Sequence, residues 1–504
     1  MFSTAKFRHL IVALPLLLAP SAFSDGLPDL GDVSYATISP QEERRLGEQI
    51  MFEVRADRSY LDDAEVAGYL NQLGNRLVAA AVGGDAQPQA FEFFALQDPS
   101  VNAFALPGGF IGVNSGLMLV AQSESELASV MAHEIAHVTQ KHIARLISGQ
   151  KQSALISLAG LAVAILAARS NSDVGQAAVA TVQASAIQSQ LDFTRDHEKE
   201  ADRIGLNILL KAGFDPRAMP VFFERLQKAG RFQENSAPSY LRTHPLTFER
   251  IADIQNRTQK LSYRQVTDST DFQLLRAKLR ASQGAPRDAV AHFESSLGEK
   301  RYNNEAAERY GLVSALLRER NFPRAEQELA LLRKVSPASP SGAMIETLAA
   351  RVKLAAGQPE AAFGIYRAAL LTYPQHRALS YDYAEALLHN RRAEVALKFI
   401  SEQLQHAPND SRLYRLQAQS YADLGNNLLQ HRAQAEAYAR QGNLPAAIEQ
   451  LQIALKSFDG DFYQISSAEA RLRELRELDA TRKQGSAKGK NQLAKPIYGL
   501  YYGL

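Results

Sequence analysis

The hydrophobic pattern changes period several times along the chain. Lys6, Arg8 and His9 precede an apolar run from Leu10 to Ala19, and Ala22 and Ser24 put small residues at −3 and −1 of a cut before Asp25. That layout is a secretory signal peptide over residues 1–24, too short and too interrupted by Pro15 to span a bilayer. An amphipathic helix is expected from Ser39, with Pro40 in its first turn and Glu42 completing a capping box, running through Arg44, Leu46, Ile50 and Met51. A second is expected from Asp63 to Ala81, ending at Gly83-Gly84. Two strand-like stretches follow. Phe91 to Leu96 is one; Ala103 to Leu106 and Phe110 to Val113 form a hairpin through Pro107-Gly108-Gly109. Ser123, with Glu126 three residues on, starts a long helix predicted to reach Ile147. Residues 154–168 are the most apolar stretch after the leader and suit a buried helix better than a membrane span. An alanine-rich helix is expected over Gln176–Ile187, and another over Asp196–Ala212, stopped by Gly213 and Pro216.

From about residue 270 the pattern becomes helix after helix. Turns recur at Gly284-Ala285-Pro286, Asn321-Phe322-Pro323, Gly357-Gln358-Pro359, Asn390-Arg391-Arg392 and Gly442-Asn443-Leu444-Pro445. Each is followed by an alanine, at Ala289, Ala325, Ala361, Ala396 and Ala446, so the steps are 36, 36, 35 and 50 residues. This resembles the tetratricopeptide repeat, a helix–turn–helix unit of about 34 residues with small residues where its helices touch. The longer last step predicts one inserted helix near Leu428–Arg440. From Arg482 the chain turns rich in Lys, Gly and Ser before ending in an aromatic run, and a flexible tail (481–504) is expected.

Composition narrows the class. The 504 residues call for two or three domains, and 46% hydrophobic with 22% charged residues is typical of globular proteins. A net charge of +2 gives no large field for nucleic acid. With no cysteine, disulfides, thiolate metal ligands, a thiol nucleophile and a lipoprotein anchor are all excluded.

The chemistry lies in His133-Glu134-Ile135-Ala136-His137. Histidines four apart share a helix face and can reach one metal ion, while Glu134, one residue round, can touch water at that ion without ligating it. Leu127, Val130, Met131 and Val138 would bury this helix. A catalytic zinc needs a third protein ligand. Glu198, in Asp196-His197-Glu198-Lys199-Glu200-Ala201-Asp202, is the preferred candidate, with Glu200 and His197 as rivals by composition. Asp202, a turn beyond Glu198, can accept the outer N–H of a ligating imidazole. Glu200 reads as a solvated charge on another face.

Taken together, HEIAH and the distant E-x-x-A-D resemble the zinc metallopeptidase family of the CAAX prenyl proteases and the HtpX heat-shock protease. The signal peptide, VNAFALPGGFIGVNSGLM, RDHEKEADRIG, THPLTFERI and the helical repeats resemble a periplasmic branch of that family acting in outer-membrane β-barrel assembly. The resemblance implies one Zn²⁺ on His133, His137 and Glu198, Glu134 as general base, Asp202 supporting catalysis behind the ligands, and His244 as a regulatory histidine able to approach the zinc. By composition alone a histidine before proline is more often structural. Arg250 would face the cleft and steady an oxyanion. Asn102–Asn114 reads either as an edge that pairs with extended substrate or as a plain core hairpin.

The expected fold is therefore α+β and mostly helical: a zincin-like metallopeptidase domain (25–262) joined to a tetratricopeptide-repeat α-solenoid (268–480) that binds proteins. The implied function is a periplasmic zinc metalloendopeptidase, with chaperone-like activity alongside, in quality control and assembly of outer-membrane β-barrel proteins. Misassembled barrels are then the substrates and the barrel-assembly machinery the partner. The competing readings are a repeat-containing chaperone or scaffold with a blocked zinc site, and an integral-membrane protease. For residues 149–190 a lid and a peripheral membrane contact both stay open.

Overall fold

The computed structural model describes residues 39–81, 90–149, 195–231, 239–262, 265–336 and 342–493. The signal peptide, the Gly83-Gly84 stop, the 154–168 and 176–187 helices and the end of the tail lie outside the described residues.

Helix α1 (Pro40–Ala56) begins with the expected capping box. The Glu42 N–H donates to the Ser39 hydroxyl at 3.2 Å, and the Glu42 carboxylate accepts from the Ser39 N–H at 3.0 Å. Helix α2 (Ala64–Ala81) is capped by Asp63, whose carboxylate accepts from the N–H groups of Glu65 and Val66. Between and beside them lies a three-stranded sheet of β1 (Glu92–Leu96), β2 (Ala103–Leu106) and β3 (Phe110–Asn114), in the order β1-β3-β2. β1 runs parallel to β3, and β2 and β3 form the predicted antiparallel hairpin. Gly108 and Gly109 turn it with φ of 77° and 85°, values that only glycine adopts without strain. The period of two sorts the side chains. Phe94, Leu96, Phe104, Leu106 and Phe110 pack on α1, while Phe93, Ala95, Ile111 and Val113 face the main core.

That core is centred on α4 (Glu124–Thr139), which follows the short α3 (Ser115–Val120) and is buried from Glu124 to Val138. The single helix expected from Ser123 to Ile147 is in fact two. α4 stops at Thr139, Lys141 takes the left-handed conformation with φ 54°, and α5 (His142–Gly149) leaves in a new direction. No glycine or proline marks this break, so the local pattern does not reveal it. Around α4 pack α6 (Arg195–Lys211), α7 (Ala218–Arg231), α8 (Ser239–Thr243) and α9 (Phe248–Gln259).

Twelve helices then stack in sequence: α10 (Thr270–Ala281), α11 (Pro286–Gly298), α12 (Glu305–Arg318), α13 (Phe322–Val335), α14 (Gly342–Ala355), α15 (Pro359–Thr372), α16 (Arg377–His389), α17 (Ala393–His406), α18 (Ser411–Asp423), α19 (Asn427–Arg440), α20 (Leu444–Ala454) and α21 (Phe462–Leu493). The alanines after the turns at 289, 325 and 396 are buried, as close helix packing requires. The helix expected as an insertion near 428–440 exists as α19. Left-handed residues at Arg391 and Gly425 are 34 positions apart, however, so α18 and α19 form one more pair in phase. The proline-free turn at Gly425 concealed it. α21 runs to Leu493, past the start of the expected flexible tail, through a sequence rich in the helix formers Arg, Glu, Ala, Lys and Gln.

Solenoid and sheet-bearing unit are not separate bodies. Phe272, Leu275 and Leu279 of α10 belong to the core around α4. The acidic turn before α2 is held by solenoid cations: Lys278 pairs with Asp63 and Glu65, and Arg412 lies 3.0 Å from Asp62. Among the described residues no helix is long and apolar enough to cross a membrane.

Candidate metal centre

α4 presents His133 and His137 on one face, with their Nε2 atoms 3.0 Å apart. α6 crosses α4 at Gly205, where a Cβ would stand 3.1 Å from the His133 backbone. This close approach lets Glu198, two turns earlier on α6, meet both imidazoles, with Oε2 3.4 Å from His133 Nε2 and Oε1 3.4 Å from His137 Nε2. The chain just after α8 adds His244, whose Nδ1 is 3.0 Å from Glu198 Oε1. One ligand atom from each of His133, His137, Glu198 and His244 lies within 4.8 Å of the others. Atoms bonded at about 2.0–2.1 Å to one tetrahedral ion stand about 3.3 Å apart, so these side chains are gathered as ligands of a single cation would be.

Outer contacts fix the orientation of this group. Asp202, one turn after Glu198, places Oδ1 3.1 Å from His133 Nδ1, which leaves the His133 Nε2 lone pair facing the cluster. Arg250 of α9 holds Asp202 with two parallel bonds of 2.7 and 2.8 Å, approaches Glu198 Oε2 at 2.7 Å, and donates to the Pro245 carbonyl. Thr247 caps α9 and so sets this arginine.

Everything here is out of water: His133, Glu134 and His137 are 0% exposed, and Glu198, Asp202, His244 and Arg250 are 1–2% exposed. Burial works against a charge on His133, but its hydrogen bonds to Asp202 and Glu198 outweigh it and raise the imidazole to about 9. His137 is driven well below its usual value by burial and by the neighbouring His133. The two facing nitrogens thus share one positive charge, which a metal ion would replace. Burial raises Glu198, yet His244 and His133 more than compensate and keep it ionised. Glu134 is shifted upward, chiefly by burial, against the lowering effect of His244 and His133. Both Glu134 carboxylate oxygens lack a hydrogen-bond partner among the described residues. Two imidazoles, one carboxylate and an adjacent buried carboxylate, met only by His244 Nε2 at 3.5 Å, fit a catalytic divalent metal.

All six candidates, His133, Glu134, His137, Glu198, Asp202 and His244, converge. Three readings change. Arg250 does not face a cleft; it is buried and clamps Asp202 and Glu198, adding its guanidinium to His133 in neutralising the two carboxylates. Glu200 is not a plain solvated charge: it accepts from His142 Nε2 and from Arg145, both at 3.1 Å. His197 is no metal ligand within the cluster; its ring stacks on His142 at 4.5 Å. Sequence reasoning passed over His142, and also Tyr240, which is buried against His244 with ring centroids 4.7 Å apart. A third histidine five residues after His137 was the available signal for the first; nothing local flags the second.

Comparison with known proteins agrees with this geometry. Residues 64–258 match peptidase family M48, and residues 353–420 match a tetratricopeptide-repeat family. The chain is 32% identical over 475 residues to a beta-barrel assembly-enhancing protease of Escherichia coli, covering 93% of this chain and 96% of the relative. It is 34% identical to a putative beta-barrel assembly-enhancing protease of Vibrio cholerae over 89% of this chain and 92% of that one. A shorter match, 31% over 43% of this chain and 61% of the relative, is to the mitochondrial metalloendopeptidase OMA1 of Schizosaccharomyces pombe. A buried His/His/Glu/His cluster inside an M48 unit, followed by helical repeats and matched along nearly the whole chain, places this protein in the family of beta-barrel assembly-enhancing proteases, repeat-bearing M48 metallopeptidases.

Proposed function

We propose that the chain is a zinc-dependent endopeptidase of the bacterial periplasm that acts on misassembled outer-membrane β-barrel proteins, in partnership with the barrel-assembly machinery. The observation that carries the catalytic part is the convergence of His133, His137 and Glu198 beside the buried Glu134 carboxylate, whose nearest cationic group is His244 Nε2 at 3.5 Å. Two imidazoles and one carboxylate are a donor set suited to zinc. When bound, zinc polarises the scissile carbonyl and acidifies water, to a pKa of about 7. Glu134 takes the proton of the attacking water and passes it to the leaving amine; its upward shift suits a group that must hold a proton between those steps. Asp202, braced by Arg250, keeps the His133 ring in register. β2 lies at the sheet edge with the Ala105 backbone toward Glu134, so an extended substrate pairs with it main chain to main chain. His244, gathered with the other three, would offer a fourth ligand nitrogen at rest and would have to withdraw for substrate. The names of the relatives and the protein-binding character of stacked repeats support the barrel clients and partner.

The test is casein cleavage and bound zinc, measured for wild type, Glu134→Gln and His244→Ala. Loss of cleavage with zinc retained in Glu134→Gln, and faster cleavage by His244→Ala, are expected. Equal, chelator-insensitive behaviour of all three would instead establish a non-proteolytic scaffold.

A further inference from the structure

The break between α4 and α5 buries Ile143 and Ala144 and is held in place at some conformational cost. Lys141 adopts φ 54°, a region in which a side chain with a Cβ is disfavoured by about 1–2 kcal/mol. Its effect is to turn the chain so that His142, the first residue of α5, faces back toward α4. His142 Nδ1 then stands 2.8 Å from His137 Nδ1. On the other side of the ring, His142 Nε2 is 3.1 Å from Glu200 Oε2, and Arg145, on the same turn of α5, meets that same oxygen at 3.1 Å. His197 lies nearly parallel to His142, with ring centroids 4.5 Å apart and planes inclined by 18°. His137 of α4, Arg145 of α5 and His197 and Glu200 of α6 thus enclose one fully buried imidazole.

The direction of every proton in this row is fixed by its two ends. A carboxylate only accepts, so His142 Nε2 carries the hydrogen toward Glu200. At the other end a ligating His137 Nε2 carries no proton, so His137 Nδ1 holds the hydrogen and donates it to the bare Nδ1 of His142. His137 in turn keeps its lone pair on Nε2, the nitrogen that faces His133 Nε2 and Glu198. A ligating histidine usually gives its outer N–H to a carboxylate, carbonyl or water; here the acceptor is a second imidazole backed by a carboxylate.

We infer that His142 and Glu200 are positioning residues for the metal centre: His142, anchored by Glu200, accepts the outer N–H of His137 and so presents His137 Nε2 as a metal ligand. The inference rests on His137 being a ligand, as proposed above. His133 and His137 are then oriented from opposite sides, the first by Asp202 and Arg250 and the second by His142 and Glu200, with no residue shared.

Two substitutions at His142 separate hydrogen bonding from packing. His142→Phe keeps the ring and loses both nitrogens; His142→Asn loses the ring but returns an acceptor oxygen near the Nδ1 position. Zinc affinity of the full chain is read by competition with a chromogenic chelator, beside wild type and His137→Ala. The expected result is binding weakened roughly 10- to 100-fold in His142→Phe, restored to within about threefold of wild type in His142→Asn. Glu200→Ala, at a partly exposed position that tolerates truncation, weakens binding by a smaller factor in the same direction. His142→Phe binding zinc as wild type does, or His142→Asn proving the weaker of the two, would overturn the inference. If His137→Ala itself bound zinc like wild type, the ligand assignment would fail rather than the role of His142.

Discussion

The metal centre and the solenoid use the same helices to opposite ends. Around His133 and His137 each side chain has one job and one geometry: moving Glu198, Asp202 or Arg250 leaves buried charge uncompensated. In the solenoid each helix meets mainly its neighbours, the contacts recur with the repeat, and buried alanines and leucines replace one another in kind. Specificity in the first region is electrostatic and singular; in the second it is steric and repeated. Their junction belongs to the first type, because half-buried Lys278 of the opening solenoid helix pairs with Asp63, which caps α2, and with buried Glu65.

The contrast predicts where damage will be severe. Glu134→Gln should cost the most in function, about 10²- to 10⁴-fold in cleavage rate, with unchanged unfolding and bound metal; kinetics on casein and metal analysis check both. At the junction, Lys278→Met strands the buried Glu65 and the half-buried Asp63 and should cost about 3 kcal/mol in denaturant unfolding. Asp63 adds a pH signature. Burial raises its carboxyl, but Lys278 outweighs this and holds it below its usual value. That contribution is therefore complete above pH of about 4 and lost as pH falls through the lowered folded pKa, so the gap between wild type and Lys278→Met should narrow in acid.

Within the solenoid, Gly311→Ala would put a Cβ 2.2 Å from the buried Phe293 ring and should destabilise by about 1–3 kcal/mol. Gly364→Ala, on α15 with nothing near its Cβ, should be neutral or stabilising by about 0.5–1 kcal/mol. Neither should alter metal content, and a loss of metal in either would dissolve the distinction between the two regions. Smallest of all, Arg324→Ala breaks an ion pair whose side chains are 44% and 45% exposed, and melting should shift by less than about 0.5 kcal/mol equivalent.

Much of the molecule was legible in the sequence because its signals are local. The capping box at Ser39, the hairpin glycines, the spacing of His133 and His137 and the turn period of the repeats each lie within a few residues or recur at a fixed step. Glu198 was found by chemical need: a third oxygen or nitrogen ligand, with an acid one turn on. What depends on a distant partner was misread. Glu200 and Arg250 looked like surface or cleft charges until α5, α6 and α9 were packed together, since a charge reveals its burial only through its neighbours.

By itself the sequence determined most of the described helices, the hairpin, the repeats and the candidate ligand side chains, since propensity, capping and metal chemistry act over one turn or one motif. Only the tertiary structure decided that α4 ends at Thr139 with Lys141 left-handed, that His142 turns back on His137, and that α10 shares the catalytic core. Each of those outcomes trades a local cost for long-range packing or ion pairing, and no window of sequence contains both sides of that exchange.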